Sequence, residues 1–152
     1  MSAVTIEPAR EADLAAIIAL MNAGAVGVRV GAESDDLTPY LAAFRRIAES
    51  PDAQIHVARE EDGAVAGAFT LTFVDGLAFR GKPRAQIESM HVREDLRSRG
   101  IGRKMLEFAI EKARERGCCM VQLTSNRERE AAHRFYERHG FVPSHVGFKL
   151  ML

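Results

Sequence analysis

The 152-residue sequence has no net charge, because 21 lysines and arginines offset 21 aspartates and glutamates. A chain with no positive excess has no bulk attraction for nucleic acid or for an anionic membrane surface, so neither partner is expected. Long apolar runs are also missing. The stretch Leu14–Val30 is rich in apolar residues but is broken by Asn22, Gly24 and Gly27 and carries Arg29. It is too short and too punctuated to span a bilayer. Met1–Arg10 shows no basic stretch followed by an apolar one, so no signal peptide is expected and a cytoplasmic location is. Cysteine is scarce: the two present, Cys118 and Cys119, are neighbours. Adjacent residues on a strand point to opposite faces, which argues against a disulfide between them. No Cys/His set has the spacing of zinc ligands, so no metal site is expected.

What the chain does have is the composition of an ordinary globular protein, 47% apolar and 28% charged. Its length suits one domain, 1–152, with one solid core. No internal repeat, low-complexity tract or linker breaks it. Val4–Ile6 begins a strand that Pro8 ends. Apolar residues at Leu14, Ile17, Ile18 and Met21 have helical spacing over 13–23, and Leu37, Leu41, Phe44 and Ile47 mark a second helix over 37–50. Gln54–Arg59 and Val65–Val74 read as strands joined by a hairpin with Asp62-Gly63 at its tip. Ala85–Val92 is the next strand. A helix over 101–116 follows, with Ile101, Met105, Phe108, Ala109 and Ala113 on its apolar face and Gly117 at its end. Cys118–Thr124 reads as a strand. Asn126 is a plausible N-cap for a helix to about His139. Phe141-Val142 and Val146–Leu152 read as terminal strand. The order is β-α-α-β-β-β-α-β-α-β.

Between the fourth strand and the third helix lies Arg97-Ser98-Arg99-Gly100-Ile101-Gly102. Gly100 and Gly102 let the backbone turn tightly, so that several amide N–H groups converge. The helix behind adds its unpaired first amides and the positive end of its dipole. Arg97, Arg99, Arg103 and Lys104 surround the turn with cations. Together these make an anion site suited to a pyrophosphate. The pattern R-x-x-G-x-G is not a P-loop, because Met105 stands where Ser or Thr would be required. Nor does it carry the third glycine of a dinucleotide fingerprint.

Three segments in register resemble the GNAT superfamily of acyl-CoA-dependent N-acyltransferases. Ile87-Glu88-Ser89-Met90-His91-Val92 is like that family's cofactor strand. Arg97–Gly102 is like its pyrophosphate loop, and Ala132-His133-Arg134-Phe135-Tyr136…Gly140-Phe141 is like its A-x-x-F-Y-x-x-x-G-F helix. The resemblance implies a mixed, mostly antiparallel sheet of six to seven strands flanked by about four helices. It implies acetyl-CoA as acyl donor and a small-molecule or peptide amine as acceptor, with direct transfer in a ternary complex. An alternative of another class is an acyl-CoA sensor or interaction module with the same fold and little turnover.

The apolar parity of residues 86–92 switches midway, as a β-bulge would make it. The family has such a bulge here, and the resemblance implies that the freed backbone groups of Met90 and Val92 would pair with the pantetheine arm and that an amide near Met90 would polarise the thioester carbonyl. Arg97, Ser98, Gly100, Ile101, Gly102 and Arg103 would hold the pyrophosphate. Tyr136, a phenol protonated at neutral pH, would donate to the departing thiolate. Phe135 beside it would point into the core on the cofactor's side, and Asn126 is either a helix cap or a donor to the pantetheine. Glu88 is the candidate base for the attacking amine. His91 is an alternative base, expected on the opposite face. His133 and His139 read as surface residues. The acidic run Glu33-Ser34-Asp35-Asp36 reads as a helix cap, or as an attractor for a cationic amine. Gly147–Leu152 reads either as an edge strand available to a homodimer or as a core strand.

Overall fold

The computed structural model describes residues 3–152. One sheet runs through them in the order β1-β2-β3-β4-β5. Its strands are β1 (Val4–Pro8), β2 (Ala53–Glu60), β3 (Val65–Val74), β4 (Arg84–Val92) and β5 (Val121–Leu123). The first four are antiparallel neighbours, and β5 joins β4 in parallel. The β2–β3 hairpin closes as its chemistry predicts: Gly63 is left-handed (φ 90°) and the Ala64 amide donates to Asp62 Oδ1 at 2.9 Å.

Helices α1 (Leu14–Ala23) and α2 (Thr38–Glu49) lie on one face of the sheet. There Ile17 and Leu20 of α1 pack on Val57 and Ala68. The other face is covered by α4 (Ile101–Glu115), whose Met105, Leu106 and Ala109 are fully buried against Phe69, Leu71, Ala85 and Ile87. Between β3 and β4 sits a single turn, α3 (Ala78–Gly81), in which Phe79 and Arg80 are left-handed. Helix α5 (Glu130–Arg138) ends the regular structure. An ion cluster pins the start of α1 to the sheet: Arg59 on β2 pairs with Glu7 on β1 and, at 2.8 Å, with buried Asp13.

The mixed sheet and its flanking helices agree with the expected architecture, but three expectations need correction. The sheet has five strands among the described residues, not six or seven, because Phe141-Val142 and Val146–Leu152 pair with nothing. The strand expected over Cys118–Thr124 shrinks to Val121–Leu123. The last helix begins at Glu130 rather than near Asn126, because residues 126–129 close a turn first: the Arg129 amide donates to the Asn126 carbonyl at 2.9 Å.

Candidate active site

The site is built where β4 leaves β5. The two strands pair only over Ala85–Ile87 and Val121–Leu123. Beyond that point β4 runs on through Glu88–Val92 with no β5 residue beside it. Its backbone edge there is open to a ligand that can pair like a strand. A bulge lies in the same stretch. Thr70 faces Glu88 and Ala68 faces His91, so Ser89 and Met90 together span the place of Phe69. Ser89 is left-handed, with φ 51°. The extra residue moves the core parity from Ala85 and Ile87 to Met90 and Val92, which pack on the same cluster as α4.

At the mouth of this opening stands the loop before α4. Ser98 and Gly100 are both left-handed (φ 62° and 83°), which curls the chain so that its amides face one side. Among the described residues, no backbone amide from Ser98 to Arg103 donates a hydrogen bond to any group of the chain. Gly100 takes the αL position immediately before Ile101. An anion is the partner that such a run of free donors at a helix start favours. The cations around it are placed unequally. Arg103 is engaged with Glu107 at 2.7 Å, and Lys104 is not free for a phosphate, because its Nζ donates to the Val4 carbonyl at 2.7 Å. Arg97 is held by a long bond (3.4 Å) to the Val92 carbonyl.

Helix α5 forms the opposite wall. A Cβ added at Gly102 would lie 3.5 Å from the Phe135 ring and 3.8 Å from Val92, so loop, strand and helix meet there. Tyr136 packs edge-on to Phe135 and Phe141 at centroid distances of 5.2 and 5.7 Å. Burial pushes its phenol above the ordinary value, against the opposing pull of Arg129. The ring is half-buried, and its hydroxyl has no partner among the described residues. It is a protonated donor at neutral pH with nothing of its own chain to donate to. Asn126 is not the helix cap. Its Oδ1 accepts from the Glu128 amide at 2.9 Å, while its Nδ2 faces Gly27, where an added Cβ would come within 3.2 Å. The two helix histidines bind backbone carbonyls, His133 that of Asn126 (2.9 Å) and His139 that of Phe135 (2.7 Å).

Glu88 is exposed and linked sideways in a polar row: Gln122 donates to Gln86 at 2.9 Å and Gln86 donates to Glu88 at 3.0 Å. His91 does not lie on the opposite face from Glu88. The bulge brings both to the side of α1 and α2, where a Cβ added at Gly24 would strike the His91 ring at 2.4 Å. Burial first, then Arg129, Arg29 and Arg97, pushes this imidazole down to about 4, so it is neutral at pH 7. The same face holds a feature that no single motif announces, a cavity of about 160 Å³ between α1, α2 and the sheet. Its walls include Ile18, Met21, Phe44 and Tyr40, and it reaches Thr70 and Ser89 at the bulge. The apolar faces of the two helices were legible in the sequence; that they leave a space beside Ser89 was not. The acidic run is spent locally, with Tyr40 donating to Glu33 at 2.6 Å and Asp36 accepting from the Thr38 amide at 3.0 Å.

Comparison with known proteins bears on the family and the fold. The model of the acetyltransferase (GNAT) family matches residues 24–141. An aminoalkylphosphonate N-acetyltransferase of Salmonella typhimurium is 38% identical over 63 residues, which are 41% of this chain and 41% of that protein. The chain thus spans less than half the length of that relative. Two solved structures match nearly end to end. One is a Bacillus halodurans protein described as a transcriptional regulator, at 35% identity, TM-score 0.91 and coverage of 99% of this chain and 100% of that one. The other, from Agrobacterium tumefaciens, is described as a putative acetyltransferase and is 30% identical, with TM-score 0.80 and coverage of 97% and 99%.

Proposed function

The chain belongs to the GNAT family of acetyltransferases, and from that premise we propose that it acetylates a primary amine, with acetyl-CoA as donor, by direct transfer in a ternary complex. The observation that carries this reading is the run of unpaired amides at Ser98–Arg103 set beside the open edge of Glu88–Val92. That pairing suits a ligand with a pyrophosphate at one end and an amide-bearing arm at the other. When bound, acetyl-CoA supplies an acetyl thioester, an acyl group already activated toward amines.

The chain's own groups would do the rest. Amides of Ser98, Gly100, Ile101 and Gly102 would hold the pyrophosphate, with Arg97 and Arg103 adding charge once Arg103 turns from Glu107. Met90 and Val92 would pair the arm through their backbones, with Phe135 and Asn126 flanking it. A backbone amide near Met90 would stabilise the charge that develops on the carbonyl oxygen. Glu88 would take the amine proton, directly or through water, and Tyr136 would hold a proton ready for the departing sulfur. The cavity beside Ser89 would receive the body of the acceptor, which its apolar walls restrict to a small, partly apolar amine.

The test is a calorimetric titration of acetyl-CoA, with CoA and ATP as controls, followed by turnover against a panel of amines that includes an aminoalkylphosphonate. Tight binding of both CoA species and none of ATP is the expected result. Folded protein that binds neither CoA species overturns the reading. A second reading, an acyl-CoA sensor with little turnover, is favoured by one observation, the 35% identity to a protein described as a transcriptional regulator. Binding of acetyl-CoA with no acetylation across the panel selects it.

A further inference from the structure

Strand β1 stops short of the start of β2. Pro8 is its last paired residue, opposite His56, and the Ala9 amide then donates to the Ile55 carbonyl at 2.9 Å. Ala53 and Gln54, which begin β2, have no strand beside them on that side. A second cavity, of about 440 Å³, opens at this gap. Helix α2 lines it with Phe44, Ile47 and Ala48 from one face of the sheet, and α4 contributes Lys112 from the other. The volume is of the size that holds a small molecule.

Two polar side chains in its wall indicate the chemistry of an occupant. His56 is 4% exposed, stacked on Phe69 and tilted against Phe108 at a centroid distance of 4.9 Å. Its Nδ1 is enclosed without a partner; its Nε2 also bonds to no group of the described chain but is not enclosed. Burial and then Lys112 keep the imidazole neutral at pH 7, and a neutral ring carries one N–H. Placed on Nε2, that N–H is a free donor in the wall. Among the described residues that line the cavity, Lys112 alone is charged. Its Nζ lies 5.4 Å from the Phe108 centroid and 3.2 Å from Glu115. One cation, shared with a carboxylate, balances one negative charge and no more. A carboxylate on a compact apolar body fits these walls, whereas a phosphate dianion would bring charge that they leave uncompensated.

The position of the cavity gives such a ligand a consequence. Phe44, Ile47 and Ile55 line both this cavity and the one beside Ser89, so these three side chains are the partition between the two.

We propose that the cavity at the end of β1 is an effector site for a small apolar carboxylic acid, with its carboxylate on Lys112 Nζ and His56 Nε2 and its apolar body against the partition. An occupant holds Phe44 and Ile47 from behind. A second ligand then meets a wall already ordered, so the two cavities should favour each other's occupation, and reciprocally. The regulatory consequence rests on reading the cavity beside Ser89 as the acceptor's; binding at the second cavity does not.

The probe is phenylpropionate, titrated without acetyl-CoA into the full chain and followed by amide NMR, with phenylpropionamide as the uncharged control. Saturable shifts at Gln54–His56 are expected, with a dissociation constant below about 1 mM and binding of the amide weaker by about tenfold or more. Thr70 and Ser89 should shift with the same constant. No saturable shift at 54–56 overturns the site. Shifts confined to Thr70 and Ser89 place the probe in the first cavity and overturn it equally. Saturation at 54–56 with Thr70 and Ser89 unmoved overturns the coupling. Lys112→Met should weaken the probe by about tenfold, and His56→Phe, which keeps the stacked ring and loses the N–H, by about fivefold. Arg114→Ala, on the same helix outside the cavity, should stay within about twofold. If one of the first two variants does not fold, the other decides. A folded variant of either that binds phenylpropionate like the parent refutes the assignment.

Discussion

Replacing Gly100 by glutamate separates an anion cradle from an ordinary turn. Gly100 holds φ 83° and ψ 3°, and a Cβ built there meets nothing within 4 Å. The variant therefore has room to fold, and its cost is the left-handed backbone, about 1–2 kcal/mol for a residue with a side chain. In a chain of this length that lowers the melting temperature by about 2–8 °C. Binding should suffer far more. A carboxylate about 6 Å from one phosphate charge, at an effective dielectric of 20, repels it by about 3 kcal/mol, roughly a hundredfold in affinity. Any amide–phosphate bond the side chain displaces adds about 1.5–3 kcal/mol. Acetyl-CoA affinity should thus fall by about two to four orders of magnitude in a calorimetric titration. Gly100→Ala carries the same backbone strain without the charge and should stay within about tenfold of the parent. A folded Gly100→Glu protein that binds acetyl-CoA within threefold of the parent would falsify the cradle, and the reasoning from free amides with it.

Tyr136→Phe removes the unpartnered phenol, and kcat should drop by about 10²–10⁴-fold, with acetyl-CoA affinity held, in a thiol-release assay; an unchanged kcat means the proton comes from elsewhere. Glu88→Gln should cut kcat/KM at neutral pH by about a hundredfold and regain activity as pH rises and the amine deprotonates unaided. A flat, uniformly low pH profile would argue against a role as base. Buried His56, stacked on Phe69 at 5.4 Å with its Nδ1 unpartnered, is pushed down to about 4 by burial and then by Lys112, as His91 is by its own surroundings. Both take up a proton in the unfolded chain near 6.5 but not in the folded one until about 4. Stability measured by urea unfolding should therefore be full above pH 6.5 and fall toward pH 4, by about 1.4 kcal/mol per pH unit for each histidine. His56→Phe should remove its share of that slope. Leu106→Ala, at a fully buried position on α4, should cost about 2–5 kcal/mol and lower the melting temperature by about 5–15 °C without altering the site's chemistry.

Much of this protein was legible before any coordinate. Hydrophobic periodicity placed α1, α2 and α4 and the strands β2 to β4 within a residue or two, because those elements bury faces that their own spacing defines. The loop at Arg97–Gly102 was legible for a similar reason: left-handed turns and helix starts draw on residues a few positions apart. The bulge at Ser89 showed as a break in parity, an internal property of one strand. The terminal strand misled for the opposite reason. Alternation in Val146–Leu152 reports a face that needs covering, and says nothing of which molecule covers it. Asn126 looked like a helix cap because its residue type suits one, yet the turn that closes at Arg129 delays the helix by three residues.

By itself, then, the sequence determined the elements, the curled loop and the parity switch, all of which rest on forces acting between residues near one another in the chain. Only the tertiary structure decided where β4 parts from β5, that Glu88 and His91 share a face, that Lys104 is tied to Val4, and that a cavity beside Ser89 is lined by α1, α2 and the sheet together. Each of these depends on contacts between residues distant in sequence, and pairing and packing across such distances are set by the whole fold at once rather than by any local pattern.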